Sequence, residues 1–260
     1  MTQAVTRARP AAATSSHAPR PLPGETYFRQ SRRPLASLAF VLPLVLIYEV
    51  GTWQFHVDAR GHTETRIVAF TWIREGFASL GATGPLLAPA AVVILLLGWH
   101  VFARHPWRVR GTVPLAMAAE SLLLAVPLML LVGVVTGTHL LQSPGGTDWR
   151  GLAVLGVGAG VYEELLFRLI GFMLLHALLV DVMGVKAGPA LWATLLLTST
   201  AFAAYHHLGG EPFTPVAFAF RTAAGVYLGL VFAARGFGLA AGAHAAYDVL
   251  LVVLLSAKAG

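Results

Sequence analysis

Beyond residue 34 the chain consists of long apolar runs separated by short polar breaks, at roughly 35–55, 85–103, 113–135, 151–180, 189–207, 215–234 and 237–257. A helix needs about 20 consecutive apolar residues to cross the hydrocarbon core of a bilayer, so each run is long enough, or nearly so, to span. The pattern predicts an all-α, polytopic transmembrane bundle of about seven helices. The fourth run is overlong, which implies tilt or extension into the interface. The fifth and sixth are marginal and are delimited by the breaks at Gly209-Gly210-Glu211-Pro212 and Arg235-Gly236. Between the first two runs, Trp72, Ile73, Phe77 and Leu80 are spaced among charges. The 56–84 connection therefore reads equally as a short helix lying on the outer surface or as an ordinary loop.

Residues 1–34 are rich in Arg, Pro, Ala and Ser and lack the apolar stretch of a signal peptide. They are expected to form a disordered basic cytoplasmic tail. The expected organisation is this tail, two N-terminal helices with their loops over 35–112, and a C-terminal transmembrane core over 113–260 that carries the polar residues. With the N-terminus inside, the inner segments hold eleven Lys and Arg and the outer segments five, while Arg168 and Arg221 lie within apolar runs. The positive-inside rule then places the N-terminus in the cytoplasm, as in a protein of the bacterial inner (plasma) membrane.

Composition agrees with lipid as the solvent. The 260 residues are 57% apolar and 12% charged, with mean hydropathy +0.71, against about 25% charged in a soluble domain. The formal net charge of +6 does not imply nucleic acid, because no basic stripe is interleaved with aromatics. The absence of cysteine excludes a disulfide framework, a thiolate nucleophile and Cys-based metal sites. Small-xxx-small spacings at Gly133/Gly137, Gly156/Gly160 and Gly225/Gly229 allow close helix approach, within one chain in the first instance, with dimerisation left open. No internal repeat or inverted pair of broken helices is present, which weighs against a transporter.

Against this background the sequence Glu163-Glu164-Leu165-Leu166-Phe167-Arg168 is costly. Each ionisable group at the centre of a bilayer costs at least about 2.5–3.5 kcal/mol on insertion scales. Glu164 and Arg168 are four apart on one helix face and can pair. Glu163 is rotated by roughly 100° from Glu164, lacks a local partner, and suits a general base. A structural role is expected for Glu164 and Arg168 and a functional one for Glu163. In the fifth run, Phe202 shares a face with His206, so that its ring can pack over the imidazole and fix its orientation, while His207 points elsewhere. In the last run, His244 and Asp248 share a face and can address a common site or each other. Together the three clusters hold the groups needed to activate a water and stabilise an oxyanion.

The motifs EExxxR, FxxxH and HxxxN/D, in this order on successive apolar helices, resemble the CAAX-processing and bacteriocin-processing (CPBP) family of intramembrane glutamic endopeptidases, related to the type II CAAX prenyl endopeptidases. They stand here as Glu163-Glu164…Arg168, Phe202…His206 and His244…Asp248, and the resemblance covers roughly residues 113–257. It implies a membrane-embedded protease without a metal cofactor, acting on a membrane-associated protein or peptide, with or without a lipid. It further implies that Glu163 and His206 activate the attacking water and that His244 and Asp248 bind the scissile carbonyl oxygen. Where the prenyl endopeptidases have Asn, this chain has Asp248, which donates only when protonated; otherwise it would hold His244 in the required tautomer.

Three other readings of the residues stay open. A zinc hydrolase could use Glu163, His206 and His244 as ligands, although no HExxH occurs. A non-catalytic membrane protein could keep the cluster for packing, and a proton-coupled transporter would also carry intramembrane Glu and His. Straight helices perpendicular to the membrane would leave Glu163 near mid-depth, His206 near the outer end of its helix and His244 nearer the inner end of its own.

Overall fold

A backbone in apolar surroundings has to satisfy its own polar groups, and an α-helix does so within one segment. The computed structural model of the chain describes residues 26–56, 65–136, 148–208 and 212–259, and no strand occurs among them. The helices are α1 (Tyr27–Ser31), α2 (Pro34–Phe55), α3 (Val68–Ser79), α4 (Leu87–Phe102), α5 (Thr112–Thr136), α6 (Trp149–Val182), α7 (Ala187–Leu208), α8 (Pro215–Arg235) and α9 (Phe237–Ala259). Six of these, α2 and α5 to α9, are long and apolar enough to cross a membrane. The chain is an integral membrane protein with a helical bundle. The second apolar run gives a shorter helix: α4 has 16 residues, about 24 Å of helix against a core of about 30 Å.

Local chemistry sets several helix ends. Pro34 and Pro215 occupy first-turn positions, where the missing N–H is not needed. Thr214 Oγ1 accepts the Ala217 N–H at 3.1 Å, and Asp148 accepts the Arg150 N–H at 3.0 Å, capping α8 and α6. Gly236, at φ 87°, takes a left-handed conformation that side chains disfavour, and it lets α9 begin directly after α8. Within α6 the helix is regular through Glu164, then widens to π geometry over Leu165–Phe172 and again over Leu178–Val182. Such wide turns recur at functional sites. This irregular continuation is how the overlong fourth run is accommodated.

The glycine pairs of the fourth and sixth runs are used within the chain. A Cβ on Gly156 would stand 2.7 Å from Asp248 Cβ, and one on Gly160 would strike the backbone of Ala245, so α6 lies directly against α9. Gly225 and Gly229 admit Ser199 and Leu195 of α7 in the same way. Gly133 has no neighbour within 4 Å, and Gly137 lies outside the described residues.

Two segments outside the spans are tied to the bundle. Of the stretch read as a tail, residues 1–25 lie outside the described residues, whereas Tyr27–Ser31 is helical with Gln30 and Ser31 buried. The 56–84 connection contains α3, and its first turn is keyed into the bundle rather than resting on it. Ala69 and Phe70 are buried. The Ile67 and Ala69 N–H groups donate to the Tyr48 and Tyr205 hydroxyl oxygens at 3.3 and 2.6 Å. Phe70 meets the Tyr162 ring edge-on at 5.2 Å.

Candidate active site

Helix α6 contributes Glu163, Glu164 and Arg168. Arg168 Nη1 lies 2.9 Å from Glu164 Oε1, with 1% and 0% of the side chains exposed. Its Nη2 donates to the Gly225 carbonyl at 3.0 Å, and its guanidinium lies 4.6 Å from the centre of the Phe202 ring. The ion pair thus ties α6 to α7 and α8. Glu164 has a further partner that spacing did not indicate. His244 Nδ1 lies 2.9 Å from Glu164 Oε1, so the carboxylate that anchors Arg168 also orients an imidazole of α9. His244 Nε2 is 3.6 Å from Asp248 Oδ2, beyond hydrogen-bond length. Glu164, rather than Asp248, holds the His244 tautomer.

Helix α7 contributes Phe202 and His206. His206 Nδ1 lies 2.8 Å from the Phe202 carbonyl oxygen. A carbonyl only accepts, so Nδ1 carries the proton and Nε2 presents a lone pair in the neutral ring. The four-residue spacing therefore works through the backbone. The Phe202 ring meets His206 nearly edge-on, at 4.8 Å and 75°, instead of covering it. His207 turns aside and stacks on Phe218 at 6.0 Å.

Glu163 is the convergence point. Its Oε2 lies 3.7 Å from His206 Nε2 and 3.8 Å from His244 Nε2, and the residue is 5% exposed. All seven residues singled out in the sequence (Glu163, Glu164, Arg168, Phe202, His206, His244 and Asp248) belong to one cluster. The depth mismatch expected for straight helices is absent. Helix α7 ends two residues after His206, level with Glu163, and the close α6–α9 contact at Gly160 brings His244 to the same level.

The cluster borders a cavity of about 70 Å³, walled by Glu163 of α6, Phe202 and His206 of α7, Arg221 of α8, and His244, Tyr247 and Asp248 of α9. That is room for roughly two waters at about 30 Å³ each. Two wall or near-wall residues were not singled out from the sequence. Arg221 is the charged residue inside the sixth apolar run, and the cost argument applied to Glu163 would have marked it. Tyr205 precedes His206 and links it to α3 through the Ala69 N–H; nothing in its spacing marks it. Among the described residues, no three His, Asp or Glu side chains converge in a way that would hold a metal ion.

Fold and site together define a helical membrane protein whose centre presents a carboxylate to two imidazoles beside a small polar cavity. Residues 145–250, a stretch that contains all three motifs, match the family described as Rce1-like, type II CAAX prenyl endopeptidase. The match begins at 145 and not at 113, leaving α5 outside it. Searches of curated proteins and of solved structures each found no match to the chain.

Proposed function

We propose that the protein is a glutamic-type intramembrane endopeptidase that hydrolyses a peptide bond in a membrane-associated protein or peptide. The observation that carries this reading is the placement of Glu163 Oε2 within 4 Å of the Nε2 atoms of both His206 and His244, at the wall of a water-sized cavity. A water about 2.8 Å from both Glu163 Oε2 and His206 Nε2 fits beside the line joining them. Glu163 takes a proton from this water as its oxygen attacks the scissile carbonyl carbon, and the carbonyl π electrons move onto oxygen. His244, as an imidazolium with Nδ1–H on Glu164 and Nε2–H toward the cavity, stabilises the resulting oxyanion, as does Asp248 when it carries a proton. Collapse of the intermediate restores the carbonyl and breaks the C–N bond, and the proton on Glu163 passes to the leaving amine directly or through His206. The match of residues 145–250 to a family of endopeptidases supports the reaction class. We place the protein in a bacterial inner membrane, and the Lys and Arg distribution, counted over seven crossings, supports a cytoplasmic N-terminus.

The test is cleavage of a quenched peptide, or of a candidate membrane protein, by the purified full chain in detergent. Glu163→Gln should reduce turnover by at least about 10³-fold, in the range of a lost general base, with a melting temperature close to wild type. Turnover by this variant near the wild-type rate would remove the scheme. A strong chelator should leave activity unchanged; loss of activity restored by zinc would favour a metal hydrolase instead.

A further inference from the structure

The proposed reaction places negative charge on the carbonyl oxygen, and the donors that can meet it in the cavity can be counted. His206 has its N–H committed to the Phe202 carbonyl and turns a lone pair toward Glu163. His244 has one nitrogen on Glu164, leaving Nε2, which faces the carboxylates of both Glu163 and Asp248. Glu163 and Asp248 accept when ionised and donate only when protonated. Tyr247 brings one neutral hydroxyl. Arg168 stays outside the wall, held by Glu164 and the Gly225 carbonyl. Among the described wall residues, Arg221 is the permanent cation, with five N–H groups in a planar fork.

We infer that Arg221 stabilises the oxyanion together with His244, as a further catalytic residue of the proposed reaction, on which this inference rests. Its position fits the task. Arg221 lies one turn before Gly225 on α8, the helix that Arg168 ties to the Glu163-bearing helix. It shares the cavity wall with Glu163, His206, His244 and Asp248. As charge builds on the carbonyl oxygen, a guanidinium at the wall gains attraction without reorganising, which is the usual source of rate enhancement by such groups. Asp248 then keeps its carboxylate as a counter-charge in the same cavity and need not carry a proton for the site to work.

The experiment measures kcat and KM of the full chain in detergent for Arg221→Gln, Asp248→Asn and the double variant. It also measures affinity for a peptide phosphonate, whose tetrahedral anionic centre mimics the intermediate. Arg221→Gln should lower kcat by about 10²–10³-fold, the loss typical of one oxyanion donor, with KM within a few-fold, and should weaken the phosphonate far more than the product peptide. Asn at 248 brings an amide donor, so Arg221→Gln/Asp248→Asn should regain at least tenfold in kcat over Arg221→Gln, a rescue that a packing role would not give. Should Arg221→Gln fail to fold, Arg221→Lys serves: it should keep phosphonate discrimination in part, and complete retention of both kcat and discrimination would overturn the proposal. Wild-type turnover in Arg221→Gln, or a loss confined to KM, overturns this inference alone. A wild type that cuts no peptide overturns the proposed function and this inference with it.

Discussion

Two ion-pair networks in the molecule use the same residue types and differ in how completely they satisfy them. At one end of the bundle Arg235 binds Glu120 with two nitrogens, Nε and Nη2, both at 2.7 Å. Tyr27 donates to the same carboxylate at 2.5 Å, and Arg235 Nη2 also reaches Ser31 Oγ at 3.1 Å. The Arg235 guanidinium lies 4.4 Å from the Phe28 ring centre. Glu120 is bound through both oxygens by short contacts, and the product is a clasp holding α1 to α5 and α8. In the candidate active site, by contrast, the ion pair Arg168–Glu164 is short, but Glu163 stands 3.7 and 3.8 Å from its nearest imidazole nitrogens. Short charge-paired contacts mark the parts that hold the fold, and the carboxylate with only long contacts to its imidazoles marks the part left for a reactant.

The sharpest break in this contrast is Glu163→Gln, expected to remove turnover while barely changing stability; a large fall in melting temperature would mean that Glu163 belongs with the structural pairs. Next comes Glu164→Ala, which strands Arg168 and releases His244. Removing one partner of a buried pair costs about 3–5 kcal/mol, so folded yield from membranes should drop steeply, and any surviving protein should also be slow. Near-normal yield would place the fold-holding role elsewhere. Arg235→Ala should cost about 1–2 kcal/mol, between exposed and buried pairs, because its side chains are 14% and 20% exposed; kcat should be unchanged, and thermal unfolding in detergent reads the difference.

The smallest effect concerns Tyr27. Burial, followed by the hydrogen bond to Glu120, holds this phenol above its ordinary range. A raised folded-state value means that the stabilisation is complete below the unfolded value of about 10 and is lost as pH rises through the folded one. Wild type should therefore lose stability relative to Tyr27→Phe as the pH is raised above about 10. A constant difference between the two on the alkaline side would show that the phenol proton contributes nothing to the clasp.

Most of the bundle was legible because lipid imposes one pattern. The first run, read as 35–55, is Pro34–Phe55, and the sixth, read as 215–234, is Pro215–Arg235. The second, read as 85–103, is Leu87–Phe102, an apolar helix of 16 residues. The burial of α3 was not legible, since its partners Tyr48 and Tyr205 are 19 and 136 residues away from the amides they hold. In the site, spacing identified which side chains share a helix face. It could not assign partners between helices, and so it offered Asp248 for the role that Glu164 takes toward His244. Arg221 has Ala217 and Gly225 at four residues on either side, so spacing drew no attention to it.

The first turn of α3 has a mechanical consequence. Two phenol oxygens from distant helices take up backbone amides that begin this helix, and a stranded buried donor costs about 1–3 kcal/mol. Partial slippage would strand them without compensation, so this element should switch between seated and released positions instead of drifting.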